Sequence, residues 1–226
     1  MTDALYSFKA CIANIARWRR TAKAFASAAL VFAMAASAQA ADKLGSFPVD
    51  PAQVSVAGIS SGAFMANQLH IAHSADIMGA AMIAGGLYGC AVQDVESDGV
   101  LALASQALGA CMKVPFMLDD TATYRGRIEK LASHGWIDPP SNAARARIYF
   151  LTGSSDQVVN SETVEKAKAL YDALGVPAGN IVFEDRSGPA AKAGHSWVSN
   201  DFGGACDANA SPFNRRLRLR PGRGGA

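Results

Sequence analysis

The pattern of hydrophobic and polar residues divides the chain into short apolar runs and longer amphipathic segments that follow one another in turn. Apolar, β-branched runs bounded by turn residues predict strands, and apolar residues three and four positions apart predict helices. The predicted strands are residues 53–57, 79–84, 147–151 and 180–184, and the predicted helices are residues 62–73, 100–108, 123–133 and 161–174. This alternation is typical of the α/β class, with a parallel sheet and helices on both of its faces.

In the first predicted helix we expect Met65, Leu69 and Ala72 to form the buried face,. His70 and His73 of the same helix could suggest a pair of metal ligands, but no third ligand has a suitable spacing. We therefore favour a polar helix face for both histidines and expect no metal. No phosphate-binding loop, dinucleotide fingerprint or zinc spacing occurs either, so no cofactor is expected,.

Residues 1–40 have the three parts of a secretory signal peptide. A basic segment at residues 17–23 precedes an apolar stretch at residues 24–36, and an A-x-A cleavage site ends at Ala40. The apolar stretch is too short to favour a membrane span. The mature chain is therefore expected to begin at Ala41, in the extracellular space or the periplasm, with no stable membrane insertion after cleavage.

The charges are distributed unevenly over the rest of the chain. Residues 41–214 contain 11 basic and 18 acidic residues, a net charge of −7, although the whole chain carries +2. An acidic body argues against a nucleic-acid partner. Residues 215–226 contain five arginines and no acid, so this segment differs in composition from the body that precedes it.

Three cysteines remain after removal of the predicted signal peptide, an odd number for an oxidising compartment,. We expect a disulfide between Cys90 and Cys111. In the chain-entropy model, closing this loop would stabilise the folded chain by about 3 kcal/mol. Cys206 is then left without a partner.

A glycine- and serine-rich turn follows the first predicted strand. Gly58, Ser60 and Gly62 form the pattern G-x-S-x-G between a strand and a helix. In a nucleophile elbow this pattern exposes the serine hydroxyl at a strained corner, and small residues on either side permit the sharp bend. An ordinary glycine-rich turn between a strand and a helix is the alternative interpretation.

Two further reactive residues follow predicted strands. Asp156 lies beyond the strand at residues 147–151, and His195 follows the strand at residues 180–184. Functional groups of open parallel sheets lie beyond the carboxyl ends of the strands. The order serine, aspartate, histidine is that of α/β-hydrolases. Asp119 and Asp120 are weaker candidates for the acid, since no comparable strand precedes them.

These residues suggest the chemistry of a serine esterase. Ser60 would attack an ester carbonyl, His195 would transfer its proton to the leaving alcohol, and Asp156 would orient the imidazole. The Ser61 N–H would donate to the oxyanion. Trp197 is either a packing residue or part of a groove that binds an apolar substrate.

Three motifs together resemble the poly(3-hydroxybutyrate) depolymerase family of secreted esterases. They are Gly-Ile-Ser-Ser-Gly-Ala-Phe-Met-Ala at residues 58–66, Leu-Thr-Gly-Ser-Ser-Asp-Gln-Val-Val at residues 151–159 and Gly-His-Ser at residues 194–196. The resemblance implies an α/β-hydrolase fold, cleavage of polyester chains to short hydroxyacids and a triad of Ser60, Asp156 and His195. It also implies a circularly permuted fold, which agrees with only 13 residues, 41–53, before the nucleophile strand.

The chain departs from this family near its C-terminus. Similar proteins continue after Ser-Pro-Phe with a cysteine-containing segment. In those proteins a later His-Gly-Cys loop supplies the second N–H that donates to the oxyanion. This sequence has neither the cysteine-containing segment nor the His-Gly-Cys loop. One GC-rich coding of such a segment, read in another frame, translates as residues 216–224 of this chain. We therefore interpret residues 41–214 as a partial catalytic domain and residues 215–226 as an aberrant tail produced by a frameshift.

The leading hypothesis is a secreted serine esterase that hydrolyses poly(3-hydroxybutyrate) or short hydroxyacid oligomers. An esterase for another bulky ester, such as a feruloyl or acetyl-polysaccharide substrate, is a second interpretation. A third is a catalytically inactive fragment, for example one that binds a polymer surface.

Overall fold

The computed structural model describes residues 45–92, 99–185, 192–199, 202–211 and 213–216. The residues from Val49 onward belong to one compact unit. The predicted signal peptide and residues 217–226 of the predicted tail lie outside the described residues. Within the described residues, no helix is long and apolar enough to cross a membrane.

Four parallel strands form the central sheet, in the order β1-β2-β3-β4. The strands are β1 (Val54–Ile59), β2 (Ile77–Ile83), β3 (Arg147–Leu151) and β4 (Ile181–Glu184). All four were predicted from the sequence, with errors of up to two residues at their ends. Two short strands that the sequence pattern did not reveal, β5 (Trp197–Ser199) and β6 (Asn214–Arg216), pair in parallel as a second sheet.

Four α-helices connect or flank these strands at the predicted positions. They are α1 (Ser61–Ala72), α2 (Val100–Leu108), α3 (Thr121–Ser133) and α4 (Ser161–Ala173). The side chain of Asp120 accepts a hydrogen bond from the Thr123 N–H at 2.7 Å, and Asn160 accepts one from the Glu162 N–H at 3.0 Å. These side chains satisfy backbone donors that a helix start leaves unpaired, which explains why α3 and α4 begin where they do.

The α/β class is confirmed, but the expected helices on both faces are not seen in the part of the chain that the structure describes. Buried residues of α1, α3 and α4 share one core with Ala80, Met82, Ile148 and Phe150, which all lie on one face of the sheet. Right-handed crossovers between strands in the order 1-2-3-4 place every connection on the same side. Helices on the other face would require a reversal of the strand order.

Helix α1 buries a different face from the one predicted. Met65 and Leu69 were expected inside, yet they are 57% and 40% exposed. The buried residues of the helix are Ala63, Ala66, Asn67, His70 and Ile71. The small Ala63 lies where the start of the helix approaches the strands most closely, since a Cβ on Gly58 or Gly85 would come within 3 Å of Ala63,.

The sequence suggested that His70 and His73 lie on a polar face of the helix. His73 is exposed, but His70 is buried. The fully buried His70 Nδ1 lies 3.0 Å from the Tyr171 hydroxyl, which donates to the Asn67 side-chain oxygen at 3.2 Å. Asn67 in turn donates to the Gly86 carbonyl at 2.8 Å. This buried network therefore connects α1 to α4 and to the loop after β2.

The predicted boundary at residue 214 falls inside an ordered element. Arg215 lies in β6 and is only 6% exposed, and its guanidinium donates to the carbonyls of Ala208 and Ala210. The first two residues of the predicted tail therefore pack with the body of the protein. A buried arginine is tolerated here because backbone carbonyls accept its hydrogen bonds.

The buried His70 predicts a specific sensitivity to acid. Burial lowers the pKa of His70 from 6.5 to about 4. The unfolded chain therefore binds one more proton than the folded chain between these pH values. Through this residue, the free energy of unfolding should fall by about 3 kcal/mol as the pH drops from above 6.5 to 4.

The variant His70→Gln cannot bind this proton and should lose this part of the pH dependence, whatever its absolute stability. Chemical denaturation of both proteins across pH 4–7 measures the difference between their slopes. Equal slopes would contradict the role assigned to His70.

Candidate active site

Ser60 occupies a strained corner between β1 and α1. Its backbone has φ 57° and ψ −125°, a conformation that L-residues rarely adopt and that costs about 1–3 kcal/mol,. Its N–H donates to the Ile83 carbonyl at 3.0 Å, which anchors the corner to the end of β2. Serine at the start of a helix usually caps it through the hydroxyl, but Ser60 makes no such bond,. The hydroxyl is therefore available for chemistry.

The two glycines of the G-x-S-x-G motif have unequal roles. A Cβ on Gly58 would lie 2.2 Å from the backbone carbon and oxygen of Gly62, whereas a Cβ on Gly62 would meet nothing within 4 Å. Gly58 is required because the first turn of α1 presses against β1. Gly62 has no such steric requirement, in contrast to the sequence-based interpretation that both glycines permit the bend.

The first turn of α1 presents backbone donors next to the serine. The N–H groups of Ala63 and Phe64 donate to the Ser60 carbonyl at 2.9 and 3.0 Å. Ser61 precedes them, and in the described residues its N–H has no backbone acceptor. A helix N-terminus with a free N–H favours negative charge. This is the environment that an oxyanion next to Ser60 would require.

Asp156 and His195, which lie far apart in the sequence, form a buried pair. Oδ2 of Asp156 accepts from His195 Nδ1 at 3.0 Å, and the two side chains are 1% and 4% exposed. Oδ1 of Asp156 accepts from the N–H groups of Val158 and Val159 at 2.8 and 2.9 Å. Because an ionised carboxylate only accepts, the imidazole proton lies on Nδ1 and leaves Nε2 as the basic nitrogen.

All three predicted residues lie in loops at the carboxyl edge of the parallel sheet. Ser60 follows β1, Asp156 follows β3, and Ala193 of the histidine loop packs against Ile83 at the end of β2. In the described residues no hydrogen bond links the Ser60 hydroxyl to His195. Such bonds are often long in the free enzyme and shorten when substrate binds.

An apolar cavity of about 490 Å³ opens beside Ser60. This size is typical of small-molecule sites, which span roughly 300–1,000 Å³. Its walls come from α1, from the loop after β2 and from the end of α2; the lining residues are Ser60, Ser61, Phe64, Met65, Gln68, Leu87, Gly89, Cys90, Ala91, Val92, Ala107, Leu108, Cys111 and Met112. Trp197, the predicted groove residue, is not among them.

Two residues near the histidine were not recognised in the sequence. The ring of Phe213 lies edge-on to the His195 imidazole, with 5.7 Å between the ring centroids. Asn209 accepts a hydrogen bond from the His195 N–H at 2.9 Å. Both lie in irregular segments without periodicity or a known motif, so no sequence signal distinguished them from ordinary loop residues.

The structure contains the expected disulfide between Cys90 and Cys111, with 5.9 Å between the Cα atoms. Both cysteines line the cavity, so the disulfide joins two of its walls. Cys206 is free, as expected. Asp120 serves as the N-cap of α3, and Asp119 pairs with Arg127 at 2.6 Å. In the described residues no group of three or more histidine, cysteine or acidic side chains could hold a metal ion.

Known proteins of similar sequence are poly(3-hydroxybutyrate) depolymerases. No family model matches the chain. It is 34% identical over 191 residues to a poly(3-hydroxybutyrate) depolymerase of Delftia acidovorans, an alignment that covers 84% of this chain and 36% of that protein. It is 32% identical over 193 residues to a polyhydroxybutyrate depolymerase of Talaromyces funiculosus, which covers 82% of this chain and 50% of that protein.

Solved structures show the same relationship. A PHB depolymerase variant in complex with an R3HB trimer superimposes with a TM-score of 0.63 at 25% identity, over 78% of this chain and 50% of that one. The PHB depolymerase from Penicillium funiculosum gives a TM-score of 0.62 at 26% identity, with the same coverage. The chain thus spans between about one third and one half of the relatives that it matches.

The parallel sheet and the strained serine corner place this chain in the α/β-hydrolase class. The matched sequences and structures are more specific than the fold, because they agree on one enzyme type. Over the aligned region the chain is a relative of the poly(3-hydroxybutyrate) depolymerases, and the resemblance expected from its three motifs is confirmed.

The close approach of α1 to β1 predicts opposite outcomes for the two motif glycines. Gly58→Ala should lower the free energy of unfolding by about 3 kcal/mol, because the new methyl group overlaps backbone atoms that cannot move away cheaply,. Gly62→Ala is the matched control and should change stability by less than about 1 kcal/mol. Urea denaturation of both variants tests the difference. Similar stabilities would show that the helix can shift away from the strand.

Proposed function

We propose that this chain carries the catalytic serine, histidine and aspartate of an ester hydrolase that acts on poly(3-hydroxybutyrate) or short hydroxyacid oligomers. The observation that carries the proposal is the buried Asp156–His195 hydrogen bond at the sheet edge where Ser60 forms the strained corner. A carboxylate that holds an imidazole by Nδ1 leaves Nε2 to act as a base, which is the arrangement of serine hydrolases.

The proposed reaction proceeds in two steps. The Ser60 hydroxyl attacks the ester carbonyl while His195 Nε2 takes its proton, and the Ser61 N–H donates to the developing oxyanion. The carbon–oxygen bond then breaks, and the alcohol leaves with the proton from His195. Water, deprotonated by the same imidazole, hydrolyses the acyl-enzyme and releases the acid. Asp156 stays ionised and stabilises the imidazolium.

The substrate class is inferred from the relatives and from the cavity. The relatives are depolymerases of poly(3-hydroxybutyrate), and one solved relative holds an R3HB trimer. The cavity beside Ser60 has an apolar lining and room for a short acyl chain. We assign it to the acyl side of the ester, because it lies next to the serine rather than beside Trp197. Trp197, 39% exposed, is retained as a candidate contact for the alcohol side.

We also infer export from the cytoplasm. The proposed signal peptide at residues 1–40 would direct it, and the Cys90–Cys111 disulfide is typical of an oxidising compartment,. The relatives are named as depolymerases of poly(3-hydroxybutyrate). The proposed partners are therefore a polyester or its oligomers, and neither a nucleic acid nor a membrane.

Removal of the Ser60 hydroxyl should abolish hydrolysis. Ser60→Ala is expected to lower kcat by about 10⁶-fold, because the triad acts as a unit. Ser61→Ala is the matched control and should retain most activity, since only its backbone N–H is used. Clearing of a polyester emulsion and hydrolysis of a soluble p-nitrophenyl ester measure both variants.

The two assays also separate the interpretations of function. Activity on both substrates supports the proposal, and activity on the soluble ester alone supports an esterase for another bulky ester. Inactivity on both supports a binding role. An inactive Ser61→Ala with an active Ser60→Ala would contradict the assignment of the nucleophile.

If the cavity binds the acyl group, its width should determine which acyl-chain lengths the enzyme hydrolyses. Leu108 lines the cavity from the end of α2 and is 67% exposed, so Leu108→Trp should narrow the cavity without disturbing the core. We expect kcat/KM for longer p-nitrophenyl esters to fall about tenfold relative to the acetate ester. Leu101→Trp, on the same helix but outside the cavity, is the control. If both substitutions had equal effects, the assignment of the cavity to the acyl group would be wrong.

A further inference from the structure

Asn209 connects the loop of Asp156 with the loop of His195. Its side-chain oxygen accepts from the His195 N–H at 2.9 Å and from the Gln157 N–H at 3.0 Å. Its side-chain nitrogen donates to the Ser155 carbonyl at 2.7 Å. One amide group therefore holds the backbone on both sides of Asp156 and, at the same time, the backbone of His195.

The chemistry of this position requires an amide. Two backbone N–H groups need an acceptor, and the Ser155 carbonyl needs a donor; among side chains of this length only asparagine supplies both. A fourth bond, from the side-chain nitrogen to the Asp207 carbonyl at 3.2 Å, fixes the amide relative to its own segment. An aspartate would keep the accepting oxygen, but its second oxygen would replace the donor and would repel the carbonyl oxygens of Ser155 and Asp207.

The segment that carries Asn209 is itself held in place. The buried Arg215 donates to the carbonyls of Ala208 and Ala210, the residues immediately before and after Asn209. The Gly194 N–H donates to the Cys206 carbonyl at 2.8 Å, which ties the same segment to the histidine loop. Asn209 is thus a fixed connection, and its hydrogen bonds constrain the two loops instead of following them.

We propose that Asn209 is a positioning residue that sets the Asp156–His195 hydrogen bond, and with it the orientation of the imidazole towards Ser60. This inference rests on the proposed function, because it assigns Asn209 an effect on the same triad. Between the described parts of the two loops there is also a backbone hydrogen bond, from the Ser155 N–H to the Ala193 carbonyl at 3.2 Å. Without Asn209 the loops can shift, and small misplacements of catalytic groups cost large factors in rate.

A double-mutant cycle tests the proposal. Asn209→Ala in the full chain should lower kcat for a soluble p-nitrophenyl ester by about 10²-fold and leave KM nearly unchanged. Asn209→Asp should have an intermediate effect. In the Asp156→Asn background, where the carboxylate no longer fixes the imidazole, the same Asn209→Ala change should cost less than about threefold. Ser211→Ala, which removes an exposed hydroxyl from the same segment, is the control and should be neutral.

A spectroscopic measurement makes the test independent of activity. The proton on His195 Nδ1 should give a far-downfield NMR resonance that is present in the parent chain and in Ser60→Ala, and that is lost or shifted in Asn209→Ala. An unchanged resonance, or an equal loss of kcat in both backgrounds, would show that Asn209 merely supports the fold. An active Ser60→Ala would instead refute the proposed function and leave the resonance test of Asn209 valid.

Discussion

The site depends on the close contact between α1 and the ends of β1 and β2. A Cβ on Gly58 would overlap the backbone of Gly62, and a Cβ on Gly85 would lie 2.5 Å from the Cβ of Ala63. Only glycine and alanine fit at such a distance, so the helix axis is set by backbone contact. Ser60, in its strained conformation, lies at this contact, and the Ser61 N–H, which has no backbone acceptor among the described residues, is adjacent to it.

Strain at a serine must be stabilised by the surrounding structure. Apolar burial of Ala63, Ala66 and Ile71 supplies one part of this stabilisation. The buried network of His70, Tyr171 and Asn67 supplies another, because its hydrogen bonds run from α1 to α4 and to the loop after β2. A helix held from several sides cannot rotate to relieve the corner. Burial lowers the pKa of His70, which connects the stability of helix α1 to pH.

The proposed acid and base are held in a different manner from the proposed nucleophile. Asp156 and His195 lie on loops, where regular secondary structure does not satisfy the backbone groups. Side chains replace it: the Asp156 carboxylate accepts two N–H groups of its own loop, and Asn209 bridges to the histidine loop. Backbone packing thus fixes the serine corner, whereas polar contacts join the two loops, which is consistent with functional loops on a fixed scaffold.

The sequence alone determined the strands and helices, the G-x-S-x-G elbow and the candidates Ser60, Asp156 and His195, because these follow from local periodicity and from motifs at strand ends. It did not determine which face of α1 is buried, since Met65 and Leu69 also have helical spacing and are nevertheless exposed. Nor did it reveal Asn209 or the buried His70, whose partners are 52 and 101 residues away in the chain. Hydrogen bonds between distant segments exist only after the chain has folded, so the tertiary structure alone decided which partners these residues contact.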